Sequence, residues 1–363
     1  MKYAIMKISE NEVIVNIIRK IKKSGISGFN IMEVCGTHTQ NISKFGIRNI
    51  LYPEVNLISG PGCPVCVTSE GYIDAAIKIL QVKNVIAATF GDLMKVKGTR
   101  ESLMDEREKG KMINVVYSPM DALKIAEENK NMRVVFLAVG FETTAPSIAF
   151  AIKAAKENNI DNFYVLSGIK TMRPVLHKIL SDKDSKIDGI MCPGHVAVIK
   201  GSEYFRFITD DYNIPAAVAG FTSFDIMSAI YFLINERNKK EKHFENLYKS
   251  CVLPYGNKAA NKIMDEVFES RSSMWRGIGK IEDSGLYLNN KYKKFDASSK
   301  FNVNVSEKSS SKCICSEIIL GKKLPRDCKF FGKKCTPESP IGPCMVSSEG
   351  TCFIFYRYGG IKL

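Results

Sequence analysis

The stretch "RVVFLAVGFETTAPSIAFAIKAAKE" (133–157) decides the fold class. Val134 to Val139 is a short, unbroken, β-branched-rich apolar run. It lacks the alternation of a half-wetted strand and is too short for a buried helix, so it reads as a strand covered on both faces. "GFETTAP" then turns the chain, Pro146 suits the first turn of a helix, and "SIAFAIKAAKE" restores a helical period. A buried strand feeding a helix in this way belongs to a parallel sheet with helices on both sides.

The same rhythm runs outward in both directions. "GFNIMEV" (28–34) reads as a strand, and "VNLIS" (55–59) precedes "SEGYIDAAIKIL". "NVIAATF" (84–90) leads to "GDLMKVKG", "NFYVLSG" (162–168) to "RPVLHKIL", "IDGIMC" (187–192) to "PGHVAVIKG", and "PAAVAGF" (215–221) to "TSFDIMSAIYFLIN". The expected fold is α/β, with two parallel-sheet α/β domains carrying helices on both faces, at 28–118 and 119–250. An amphipathic helix over 11–24, with Val13, Ile17, Ile18 and Ile21 on one face, makes residues 1–27 a helix packing on the C-terminal part. Residues 251–363 form a third domain: helical from about 257 to 270, then strand-poor, with "SEKSSSK" (306–312) as a linker into a Cys-rich tail.

Bulk numbers narrow the function. A 363-residue chain with 45% hydrophobic and 25% charged residues is long enough for two or three folded domains. No run of 18 apolar residues exists, and the start lacks a signal-peptide pattern, so a cytoplasmic location is expected. In a reducing compartment 11 cysteines point to metal binding or thiol chemistry rather than structural disulfides. Cys192 and Cys251 stand apart and read as small buried hydrophobes. The net charge of +14 is spread along the chain, without an arginine-rich helix or a stacking platform, so nucleic acid is not an expected partner.

Three Cys motifs carry the chemistry. In "MEVCGTHTQ" (32–40), Cys35 and His38 stand three apart in a chain with only 4 histidines. They make a poor nucleophile–base pair, since residues this close on a turn rarely reach the required geometry, but a reasonable pair of soft-metal ligands. In "SGPGCPVCVTSEG" (59–71), Cys63 and Cys66 form a C-x-x-C expected at a helix N-terminus, where dipole and free N–H groups favour thiolate. That spacing serves a dithiol/disulfide couple or two ligands of one metal. The tail, "KCICSEIILGKKLPRDCKFFGKKCTPESPIGPCMVSSEGTC", holds six cysteines. Cys313, Cys328, Cys335 and Cys352 have spacings of 14, 6 and 16, with Cys315 and Cys344 as alternatives. A [4Fe–4S] cluster or a four-cysteine zinc site fits, the wide spacing favouring the cluster. Seven Lys/Arg against two acids over 312–335 give it a basic shell. Asp92, Glu142, Thr143, Thr144 and His195 are candidate cofactor-binding residues, each weighed against a plain cap or turn. No P-loop, GxGxxG, H-E-x-x-H or CxxxCxxC pattern is present.

Taken together, "MEVCGTHT", "GPGCPVCVT", "FGDLMKV", "GFETTAP", "PGHVAVIKG" and "DCKFFGKKCTPESPIGPCMVSSEGTC" resemble the HypD family of [NiFe]-hydrogenase maturation proteins, in that family's order from about residue 30 to 356. The resemblance implies a scaffold for building an iron centre bearing two cyanides and one carbon monoxide. HypC would be its partner chaperone and HypE the cyanide donor, itself supplied through HypF. The [NiFe]-hydrogenase large subunit is the indirect recipient. It also implies that Cys35 is an iron ligand shared with HypC, with His38 beside it, that Cys63 and Cys66 are redox thiols facing the iron, and that the tail holds a [4Fe–4S] cluster. Turnover would be assembly as much as catalysis. Gln40 stands where many members have a second histidine, and Lys97 where a proline is usual. The runner-up function is an iron–sulfur-dependent thiol–disulfide oxidoreductase, and the third a zinc-stabilised adaptor.

Overall fold

In the computed structural model, which describes residues 2–306 and 313–359 with side chains from residue 10, Val134 to Val139 are buried along a strand. The strands are β1 (Phe29–Glu33), β2 (Val55–Ser59), β3 (Val85–Thr89), β4 (Ile113–Val115), β5 (Arg133–Gly140), β6 (Phe163–Ile169), β7 (Gly189–Pro193), β8 (Ala216–Ala219), β9 (Phe244–Asn246), β10 (Phe268–Trp275) and β11 (Gly279–Leu288). Helix Ala145–Glu157 follows β5 with Pro146 in its first turn. Side-chain caps start other helices: Ser69 for Glu70–Leu80, and capping boxes at Ser118/Asp121 and Thr222/Asp225.

Two all-parallel sheets result. One has the order β2-β1-β7-β8-β9, the other β4-β3-β5-β6. The expected boundary at 118/119 is therefore not a sheet boundary. The chain lays down β1 and β2, leaves to build the whole four-stranded sheet, and returns with β7 in register beside β1 (Met32 opposite Ile190). A strand–helix rhythm fixes what each unit is, but not which sheet it joins.

Three further expectations change. Among the described residues the N-terminal helix, Lys2–Lys23, packs mainly on helices Ser223–Glu236 and Ile47–Leu51 rather than on residues 251–363. Ile17 and Ile21 join Leu51, Ile226 and Ile230 in a core on the outer face of the five-stranded sheet, and Val13 is exposed. "GDLMKVKG" gives only a single 3-10 turn, Gly91–Leu93. The region after 257 is not strand-poor: helix Lys258–Val267 runs straight into the antiparallel hairpin β10–β11. Gly277 (φ 69°) and Gly279 (φ 98°) turn it in the left-handed region. Trp275 is sealed inside, its indole N–H donating to Ser284 Oγ at 2.8 Å. Polar residues on the hairpin's exposed positions hide its period.

The linker expected over 306–312 lies, except for Ser306, outside the described residues. The tail beyond it docks on the five-stranded sheet: Gly321 leaves no room for a side chain against Ile58 and Met32, and the Arg48 guanidinium lies 4.9 Å over the Phe355 ring. Among the described residues no helix is long and apolar enough to cross a membrane.

Candidate metal and thiol centre

Cys35 leaves β1 as the N-cap residue of helix Gly36–Lys44, with extended backbone (φ −143°, ψ 126°). Backbone N–H groups of Thr37 and His38 lie close enough to its sulfur to favour the thiolate, though neither makes a full capping hydrogen bond. Burial dominates all the same, and with the Glu349 carboxylate it pushes the thiol up to about 11. The helix-dipole argument expected for the C-x-x-C belongs here instead. Cys63 and Cys66 sit in a turn that ends before Ser69 caps helix Glu70–Leu80, so that helix does not start at either thiol.

Cys63 and Cys66 are joined as a disulfide with Cα atoms 5.3 Å apart, and the Cys66 N–H donates to Cys63 Sγ at 3.2 Å. Their loop lies directly on the Cys35 loop. The Gly36 N–H donates to the Gly62 carbonyl at 3.3 Å, and a Cβ on Gly62 would lie 2.6 Å from backbone atoms of Cys35. Only glycine allows that approach. On the other side the tail closes in. Cys66 Sγ reaches the Pro343 carbonyl at 4.0 Å, beside Cys344, and a Cβ on Gly36 would strike the Glu349 side chain.

Glu349 and Ser347 carry no local sequence signal, because their partners, Thr37 and Asp92, lie more than two hundred residues away. Thr37 Oγ1 donates to Glu349 Oε1 at 3.5 Å, and Ser347 Oγ donates to Asp92 Oδ2 at 3.0 Å. Burial, and then the nearby Asp92 carboxylate, raise the Glu349 pKa. Asp92, in the 3-10 turn that follows β3, thus brings the four-stranded sheet to the same junction.

His38 is buried, with Nε2 2.8 Å from the Gly220 carbonyl. That contact requires the proton on Nε2, leaving Nδ1 a lone pair with no partner among the described residues. Burial, with His195 nearby, lowers the imidazole to about 4, so the ring is neutral at pH 7. Its face stacks on Phe221 at 4.7 Å, and Phe221 stacks on His195 at 4.1 Å. His195 is tied to His38 through that ring.

Glu142, Thr143 and Thr144 go elsewhere. Glu142 accepts from the Met172 N–H (2.7 Å) and the Tyr204 hydroxyl (2.9 Å), Thr143 is exposed, and Thr144 packs over Gly140 as the N-cap residue of its helix. Cys192 is buried, as expected; Cys251 is exposed, which it was not expected to be.

The tail sulfurs gather around Gly342. Cys313 and Cys315 have sulfurs 3.2 Å apart, and a Cβ on Gly342 would lie 2.5 Å from the first and 3.0 Å from the second. Cys315 also hydrogen-bonds with Cys344. The Ile341 N–H donates to Cys335 Sγ at 3.3 Å. Burial, then the thiols of Cys315, Cys313, Cys335 and Cys328, push Cys352 up. Among the described residues no three ligating side chains are already closed around one point. An all-sulfur donor set with a glycine cradle and an N–H aimed at sulfur nevertheless fits a thiolate-bound centre.

The comparisons with known proteins agree along the whole chain. A profile of the HypD family, described as the hydrogenase formation hypA family, matches residues 11–359. A putative hydrogenase expression/formation protein of Methanocaldococcus jannaschii is 40% identical over 97% of this chain and 99% of its own length. The hydrogenase maturation factor HypD of Escherichia coli K12 is 40% identical over 90% of this chain and 88% of its own. The HypD of Cupriavidus necator is 38% identical over 100% of this chain and 98% of its own. With a profile and full-length relatives in agreement, the chain belongs to the HypD family, and its role is in hydrogenase maturation.

Proposed function

We propose that this protein is the cytoplasmic scaffold on which the Fe(CN)2CO group of [NiFe]-hydrogenases is assembled. Cys35 holds the iron, as cargo, together with a cysteine of a HypC-type chaperone. A HypE-type protein supplies cyanide, and the finished group goes on towards the hydrogenase large subunit. One observation supports this above the others: Cys35 lies against the Cys63/Cys66 loop through the Gly36–Gly62 contact and against the tail through Glu349. The Cys35 loop, the Cys63/Cys66 loop and the cysteine-bearing tail thus meet at one junction, as a shared metal and thiol site would require.

The chain's own groups have definite work there. Cys35 has to lose its proton to bind iron, and the helix N–H groups close to its sulfur stabilise the anion that results. Glu349, hydrogen-bonded to Thr37 and with Asp92 nearby, is the carboxylate beside Cys35 to take that proton. His38, neutral and tied to Gly220, holds its ring fixed beside the loop. Cys63 and Cys66 exchange two electrons and two protons between disulfide and dithiol. When bound by Cys313, Cys328, Cys335 and Cys352, or with Cys315 or Cys344 as alternatives, a [4Fe–4S] cluster supplies single electrons at this junction.

The test is infrared spectroscopy of the anaerobically purified complex with the HypC-type chaperone. Cyanide and carbon monoxide stretches are expected in the parent and lost in Cys35→Ala. Stretches that persist unchanged in that variant refute the assignment of the iron to Cys35. Their absence from the parent, with thiol–disulfide exchange intact, would favour an iron–sulfur-dependent oxidoreductase.

A further inference from the structure

Away from the Cys35 junction, the GFETTAP turn borders a second cleft of about 290 Å3. It lies where that turn meets helix Met172–Leu180, helix Lys258–Val267 and the β10–β11 hairpin. Glu142 is at its base, 1% exposed. One of its oxygens takes both available donors, Met172 N–H and Tyr204 OH, while Oε2 is buried with no partner among the described residues. A buried carboxylate oxygen left unmatched is costly and is rare without a reason.

The cleft also carries charges of both signs with no ion pair between them among the described residues. The Arg173 guanidinium lies 4.8 Å over the Phe207 ring, and its polar side-chain contact is His177 at 3.5 Å. Lys200 donates to Asn261 at 2.8 Å. Among the described residues neither cation forms an ion pair, although the Lys200 charge is felt by Glu142, and neither Asp265 nor Asp283, which line the same cleft, is paired with a cation. Met264, Phe268 and Leu286 supply an apolar wall.

We propose that this cleft binds a small zwitterion of the amino-acid type with an apolar side chain. Its ammonium meets Glu142, its carboxylate meets Arg173 and Lys200, and its side chain lies on the apolar wall. A simple anion would leave Glu142 Oε2 unmatched, and a simple cation would leave Arg173 and Lys200 without a counter-charge. A ligand carrying both charges satisfies each set at once. The assignment is independent of the iron-scaffold function.

Calorimetric titration of the full-length protein with L-leucine tests it, against 4-methylpentanoate (the anionic half) and isoamylamine (the cationic half). Saturable L-leucine binding at least about tenfold tighter than either half is expected. Glu142→Gln and Arg173→Met should each weaken it by at least about tenfold. Both variants should fold: the glutamine carbonyl still accepts from Met172 and Tyr204, and Arg173 is exposed; unchanged melting curves check this. No saturation by about 10 mM, halves that bind as tightly as L-leucine, or variants that bind like the parent would overturn the proposal.

Discussion

Replacing Gly62 by alanine should break the central contact of the site while leaving the fold standing. The added Cβ would lie 2.6 Å from the N, Cα and C atoms of Cys35, against about 3.4 Å for ordinary contact. All three neighbours are backbone, so no rotamer change relieves the overlap. The Cys63/Cys66 loop must retreat by roughly 0.8 Å, the difference between those two distances. That carries the Gly36 N–H to Gly62 carbonyl bond, already 3.3 Å long, out of range. Overpacking of this kind costs about 1–3 kcal/mol, and the lost hydrogen bond about 0.5–1.5 kcal/mol more. Urea unfolding of the purified protein should therefore show a loss of about 1.5–4.5 kcal/mol with an unchanged m-value. In a host lacking its own HypD, maturation should fall much further than the remaining folded fraction explains, because the Cys63/Cys66 loop no longer lies against Cys35. Gly189→Ala is the control. Its Cβ, on β7, would meet Leu233 of helix Ser223–Glu236 at 3.5 Å, an ordinary contact, and the change should be near neutral. A Gly62→Ala protein with parental stability and full maturation would refute the close-approach argument.

Other perturbations have equally definite outcomes. His38 titrates at about 4 when folded against 6.5 in the free side chain, so the unfolded chain binds the proton first. Stability should fall by about 3 kcal/mol as pH drops from about 6.5 to about 4, and this component should vanish in His38→Gln, as urea melts across that range would show. Lys170, buried against Ser273 and the Met274 carbonyl, titrates at about 7 rather than 10.5. Stability should rise between those values as the unfolded lysine also loses its proton, and Lys170→Met should flatten the rise. Arg48 and Glu33 form a buried ion pair at 3.2 Å, so Arg48→Met strands a carboxylate and should cost about 3–5 kcal/mol. Adding Glu33→Gln should recover more than half of that loss in the same denaturation assay; no recovery would mean the cost is packing rather than charge.

The α/β class was legible because Val134–Val139 and its counterparts are apolar without interruption, which only a doubly covered strand or a core helix tolerates. The Cys motifs were legible as residue types, and their place after β1 and β2 followed from the same rhythm. Which thiol sits at a helix N-terminus was not. The C-x-x-C turn and the Cys35 cap both precede helices in sequence, and only backbone geometry separates them. Glu349, Ser347 and the His38–Phe221–His195 stack were invisible for a related reason. Each joins segments up to hundreds of residues apart, and no local pattern records a long-range contact.

By itself the sequence determined the element types, the family and the chemistry of each loop, since these depend on local periodicity and side-chain identity. The tertiary structure decided that β7 returns to pair with β1, that Gly62 lets two loops touch, and that the tail closes over both. Burial and close approach are properties of the assembled chain. They turn a thiol at the start of a helix, where an anion is favoured, into one held at about 11.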